Sequence, residues 1–129
     1  TARAVARELK PLLVSKGKTT FEERTQNLIV NGSYILLEKT GSGNIVEATI
    51  VAPNVNFSVE IGKDGKLDEA KTYTELTAES SYVEDVDAFQ DGSNYVIHLR
   101  NLAFQKEIRL IVKANLTLTL TYVKYELLN

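Results

Sequence analysis

Residues 105–127, which read QKEIRLIVKANLTLTLTYVKYEL, have the most regular pattern of the chain. In the first half, Ile108, Leu110 and Val112 alternate with other residues, which is the period of a strand with one buried face. In the second half, three leucines alternate with three threonines over residues 116–121. The apolar positions then change parity to Val123, Tyr125 and Leu127. This pattern predicts two strands, Gln105–Lys113 and Leu116–Leu127, the second with a bulge or a crossing from one environment to another.

From Leu28 onward, the rest of the chain repeats this alternation at spacings of about 8–12 residues, as sandwiches and barrels do. Asn31-Gly32 and Asp64-Gly65 are predicted turns because these residues tolerate positive φ. One or two helical turns are predicted over Thr72–Ala78. The further predicted strands are Asn27–Val30, Tyr34–Lys39, Asn44–Ala52, Asn56–Gly62, Tyr82–Phe89 and Asn94–Arg100. We therefore expect an all-β fold, a jelly-roll-like or Greek-key antiparallel β-sandwich with a short N-terminal helical arm.

The N-terminal segment has a helical rather than an alternating period. Its apolar residues recur at helical spacing with basic residues between them, which predicts an amphipathic helix. Lys18–Gln26 is predicted to be a linker or a second helical turn. We expect an arm over residues 1–24 and a β-sandwich domain over 25–129. The arm contacts either a neighbouring subunit or the open edge of its own sandwich, through Val5, Leu9, Leu12, Leu13, Arg3 and Arg7.

Composition and charge exclude several classes of function. The 129 residues include no cysteine, which excludes disulfides, thiolate metal sites and cysteine nucleophiles. Residues 60–91 carry ten acidic and three basic side chains, within a formal net charge of −2 for the chain. Nucleic acid is therefore not expected as a partner. No apolar run is long enough to span a membrane, and no export signal is visible, so a membrane is not expected either.

No residue pattern predicts catalysis, a cofactor or a metal. The single histidine, His98, is expected on the outer face of its strand, and no Gly-x-Ser-x-Gly elbow or phosphate-binding loop is present. Four acidic residues lack calcium-loop spacing and are interpreted as a solvated face or a loop that docks on basic residues: Glu84, Asp85, Asp87 and Asp91. Phe57, Tyr95 and Phe104 are expected to pack in the core rather than to stack on a sugar. We expect a protein that is not an enzyme.

Several runs resemble a module of structural proteins of tailed bacteriophages and related viruses. They are Tyr34–Gly43, Val46–Ile50, Asn56–Ile61, Asp64–Lys66 and Phe104–Leu110. The resemblance implies a virion component, either a capsid decoration protein or a tail, neck or baseplate subunit, that acts by oligomerisation and docking. Its expected partners are further copies of itself and other virion proteins, and its expected location is the virion, assembled in the host cytoplasm. A jelly-roll carbohydrate-binding module, with a glycan as partner, is the alternative.

Overall fold

The computed structural model describes residues 18–67, 70–79 and 85–128, which form antiparallel strands and one short helix. Eight strands belong to one sheet, in the order β4-β3-β8-β2-β7-β6, with β1 paired to β8 and β5 paired to β3. The all-β class is thereby confirmed. The elements are β1 (Lys18–Thr40), β2 (Gly43–Ala52), β3 (Phe57–Lys63), β4 (Lys66–Leu67), β5 (Lys71–Thr72), α1 (Tyr73–Glu79), β6 (Val86–Asp91), β7 (Asn94–Phe104) and β8 (Glu107–Leu128).

Strand β8 is the centre of the sheet. Along one edge it pairs with β1 over nearly its whole length, from Thr40 opposite Glu107 to Lys18 opposite Leu128. Along its other edge it pairs first with β3 and then with β2. The loop between β2 and β3 separates these two strands, which otherwise line this edge of β8 one after the other. The regular apolar pattern of β8 is explained by this position, because strands on both sides leave only its side chains to face core or solvent.

The ribbon formed by β1 and β8 curls so that its two ends meet. The turn between β1 and β2 bonds to both ends, since the Gly41 amide donates to the Lys106 carbonyl at 2.6 Å and the Leu128 amide donates to the Ser42 carbonyl at 2.9 Å. Gly43 lies where the ends touch, and an added Cβ would collide with the Glu126 carbonyl oxygen. Glycine is required there by close approach of two backbones.

The core fills the inside of this curl, and α1 closes it from the side. Tyr73 of α1 packs between two strands, with its ring centroid 6.0 Å from that of Phe57 and 5.4 Å from that of Tyr95. The helix begins with a capping box, in which Thr72 and Glu75 exchange side-chain bonds with each other's amides at 2.9 and 3.2 Å. The helical turns predicted from the sequence are confirmed, and Tyr73 and Leu76 are their buried residues.

The predicted change of parity in the last strand is also confirmed. Even-numbered residues of β8 from Ile108 to Leu118 are buried, except Leu116, which is partly buried, and odd-numbered residues are buried from Thr121 to Tyr125. The pairing with β1 keeps one register across this point, with Leu28 opposite Leu118 and Gln26 opposite Leu120. The strand therefore crosses from burying one face to burying the other, without a register shift against β1.

Two predicted breaks between strands, the turn at Asn31-Gly32 and the gap between Lys113 and Leu116, are wrong, because the strands are continuous. Gly32 has the expected positive φ of 92°, yet it lies inside β1 opposite Ala114, and its amide donates to Asn115 Oδ1 at 3.0 Å. Residues 105–127 likewise form one strand from Glu107, without a break at Asn115. Each long strand supplies the other with a continuous partner, so ladder hydrogen bonds outweigh the local turn preference of Asn-Gly.

The predicted linker at Lys18–Gln26 is wrong as well, because these residues begin β1. Phe21 stacks on Tyr125 with ring centroids 5.1 Å apart, which fixes this polar stretch to β8. The predicted strands Asn44–Ala52 and Asn56–Gly62 match β2 and β3 to within one residue at each end. Residues 1–17 of the predicted arm lie outside the described residues, so the helical arm stays a prediction.

Candidate assembly interface

Strand β1 has one paired edge and one open edge. Among the described residues it pairs only with β8, so the N–H and C=O groups that point away from β8 meet no other strand. A row of such groups is a template for pairing with another chain, and proteins usually shorten or cover it. At 23 residues, β1 is the longest strand of the sheet.

Apolar side chains are exposed in the middle of this edge. Ile29 is 68% exposed and Ile35 is 48% exposed. Both lie on the face away from the core, opposite Thr117 and Ile111 of β8. Between them Val30 is buried and fixes the strand to the core. The two isoleucines are therefore held in place by the fold while they remain open to solvent.

The middle of β1 also lacks charge. Residues 27–37 read NLIVNGSYILL and contain no charged side chain. Charged residues on an edge strand oppose pairing with another chain, because a charge cannot be buried cheaply in the new sheet. This window of β1 has no such protection.

Charged residues lie on both sides of the window and are engaged within the chain. Glu22 accepts from the Tyr122 hydroxyl at 3.1 Å, and Glu23 accepts from the Tyr125 hydroxyl at 3.3 Å. Burial, followed by the neighbouring glutamate, raises the pKa of each tyrosine, so both remain protonated donors at neutral pH. On the other side, Glu38 pairs with Arg109 at 2.8 Å. The charged flanks are thus tied to β8 and leave the window as the free part of the edge.

A groove of about 530 Å³ lies where the ends of the ribbon meet. It is lined by both signs of charge, including Glu38, Lys39, Lys63, Lys66, Glu107 and Arg109. Beside it, Asp64 accepts three amides, from Lys106 at 2.7 Å, Gln105 at 3.0 Å and Glu107 at 3.2 Å. The hydrogen bond from Lys106 is the main reason that the pKa of Asp64 is lowered. The carboxylate thus fills the amide cluster that an external anion would otherwise occupy.

His98 lies on the outer face of β7, as predicted, and is half-buried between Thr49 and Asp87 in the sheet. Its Nδ1 is 3.1 Å from Nη1 of Arg100, and Arg100 donates to Asp87 at 2.7 Å. The predicted acidic group therefore docks in part on a basic residue. Within residues 18–67, 70–79 and 85–128, no three His, Asp or Glu side chains are grouped closely enough to hold a metal ion.

The aromatic residues expected in the core are found there. Phe57 and Phe104 are 3% and 2% exposed, and Tyr95 is partly buried against the core. The rings of Phe57 and Phe104 are therefore not available to stack on a sugar. The exposed phenylalanine at position 89 lies instead on β6, at the opposite edge of the sheet from β1.

Six residues predicted at an interface fall outside the described residues, and their role stays a prediction: Val5, Leu9, Leu12, Leu13, Arg3 and Arg7. The open edge of β1 was not foreseen, although the uncharged run at 27–37 marks it in the sequence. No helix in the described parts of the chain is long and apolar enough to cross a membrane. No protein-family model matches the chain, and no curated protein matches it either. The resemblance to phage structural proteins therefore remains a prediction.

Proposed function

We propose that this chain is a structural protein that assembles through the open edge of β1. The observation that carries the proposal is the edge itself, an uncharged window of eleven residues, 27–37, with Ile29 and Ile35 exposed at its centre. Adding a strand there would satisfy the outward-pointing backbone groups and place further side chains beside the two isoleucines.

The finer form of the proposal is a virion component, either a decoration protein or a tail, neck or baseplate subunit. It rests on the sequence resemblance, and it includes a jelly-roll-like arrangement of the sheet and a location in the virion. A virion role requires many copies in a regular array, in which the β1 edge supplies one contact and a second surface of the chain supplies the other. We therefore expect rings, tubes or shells in negative-stain electron microscopy. Isolated monomers that bind a glycan array would instead favour the carbohydrate-binding alternative.

Sedimentation velocity of the full chain over a wide concentration range tests the assembly role. The double variant Ile29→Lys/Ile35→Lys should weaken self-association at least about tenfold, because apolar side chains along the edge are replaced by positive charges, which oppose pairing with another chain. Val55→Lys is the matched control, since Val55 is 39% exposed in the loop between β2 and β3, away from the edge of β1. Circular dichroism checks that both variants stay folded.

A full chain that stays monomeric at every concentration would refute the assembly proposal. Removal of residues 1–17 separates the two candidate surfaces, because it leaves every described strand in place. Loss of oligomers on this truncation, with the Ile29→Lys/Ile35→Lys variant still assembled, would assign assembly to the arm and refute the role of β1.

A further inference from the structure

We infer that the occupant of the β1 edge is β1 of a second copy, paired antiparallel about a two-fold axis at Gly32. This inference rests on the proposed assembly function and names its partner and register. Two-fold dimers are the commonest protein assemblies, and each copy contributes the same surface to them. The edge must therefore be complementary to itself when its direction is reversed.

Backbone geometry restricts where the axis can lie. Along an antiparallel strand, groups that bond to one neighbour alternate with groups that bond to the other. The Gly32 amide donates to the side-chain Oδ1 of Asn115 on β8, so its N–H points toward β8. By the same alternation we expect Asn31 and Ser33 to present the outward groups. Outward groups must face each other in the new pair. Each residue must therefore lie opposite a residue whose groups also point outward, which requires the two-fold axis to pass through a residue and not between two residues. Asn31 and Gly32 are the central choices for that residue.

The strand irregularities limit the length of the new pair. Asn27 has a positive φ of 55°, and the register with β8 shifts between Ile35 and Leu37. Between these two points residues 28–35 keep one register with β8, although Gly32 among them has a positive φ of 92°. An axis at either Asn31 or Gly32 keeps seven residues of each copy within these limits.

Side-chain pairing selects Gly32. With the axis there, Ile29 of one copy lies opposite Ile35 of the other, on the face away from both cores. Directly opposed apolar side chains on one face stabilise a sheet. The pair occurs twice, once on each side of the axis, and it covers the most exposed isoleucines of the edge. An axis at Asn31 would place Ile29 opposite Ser33 and would leave Ile35 without an apolar partner.

Charge is compatible with this register beyond the central residues. Glu38 would lie opposite Gln26, and Lys39 opposite Thr25, so no two like charges face each other from residue 24 to residue 40. Like charges directly opposite would oppose the pairing. The edge is therefore self-complementary in both its apolar and its charged residues.

Disulfide trapping tests the register directly, because the chain has no cysteine of its own. Two single variants, Ile29→Cys and Ile35→Cys, are purified reduced, mixed and oxidised. Opposed residues of an antiparallel pair have Cα atoms about 4.5–5.5 Å apart, within the range that a disulfide bridges. We expect a disulfide-linked heterodimer from the mixture. Neither variant should crosslink alone, because its two copies of the same residue would lie roughly 20 Å apart along the strand.

Two further mixtures serve as controls. Thr117→Cys lies next to Ile29 but one strand further from the partner, so its mixture with Ile35→Cys should not crosslink. A crosslink between Ile29→Cys and Ser33→Cys would move the axis to Asn31 and overturn the register. If the chain forms oligomers but Ile29→Cys and Ile35→Cys give no heterodimer, the inference is wrong and the assembly function stands. A chain that is monomeric at every concentration refutes both.

Discussion

Leu110→Ala tests whether β8 is buried as described. Leu110 is 0% exposed, and its neighbours across the sheet are Leu37 of β1 and Ile61 of β3. The substitution removes three buried carbon atoms of the side chain. At about 0.8 kcal/mol of transfer free energy for each, this costs about 2.4 kcal/mol. Since strands hold the site from both sides, it cannot collapse, and a residual cavity adds about 1 kcal/mol. We expect the free energy of unfolding to fall by about 3–4 kcal/mol.

Urea denaturation followed by circular dichroism measures this loss. Leu128→Ala is the matched control, because Leu128 belongs to the same strand and is 51% exposed. Its effect should stay within about 0.5 kcal/mol, as for most surface substitutions. A Leu110→Ala variant that unfolds at the same urea concentration as the wild-type chain would show that this face of β8 is not in the core, and the burial scheme would be wrong.

Two further predictions concern polar residues. The folded pKa of Asp64 is lowered, so its stabilising effect is complete above the unfolded pKa of about 3.9 and is lost as the pH falls through the folded value. The melting temperature of Asp64→Asn should therefore lie below that of the wild-type chain at neutral pH and approach it in acid; a constant difference would contradict this role. His98→Ala should leave sedimentation and folding unchanged, because Arg100 keeps its bond to Asp87. Loss of assembly by a folded His98→Ala variant would show that this outer face takes part in it.

The strand pattern could be predicted where side-chain burial decides the structure. The alternation of residues 105–127 and its change of parity follow directly from which side chains face the core. The Asp64-Gly65 turn was predictable for a local reason, since both residues have positive φ, 52° and 84°. Turn chemistry failed at Asn31-Gly32, where the same kind of dipeptide lies within a strand. The difference comes from long-range pairing, because Asn115 and Ala114 of β8 lie opposite Asn31 and Gly32 and keep them in the ladder.

The candidate interface was harder to predict from the sequence. An open edge is a property of the sheet order, and the sequence does not state which strand is unpaired. The polar stretch from Lys18 to Gln26 gave no apolar alternation, because most of its side chains face solvent on a strand held mainly by its backbone. The signal that was present is the uncharged run at residues 27–37. Without the sheet order, that run is typical of any buried strand.

The place of β8 in the sheet has a consequence for how the chain acquires its structure. β8 follows every other described strand in sequence, yet β1, β2 and β3 all pair with it. The bond between Gly32 and Asn115 spans 83 residues, and that between Glu23 and Tyr125 spans 102. Folding is slow when the contacts of a fold join residues that are so far apart in the sequence. During synthesis on the ribosome, β1 must wait for β8 with both edges uncovered, whereas β2 can already pair with β7 and β3 with β4 and β5. Aggregation competes most strongly with folding during this wait. A chaperone that holds residues 18–63 until β8 emerges should therefore raise the yield of native protein.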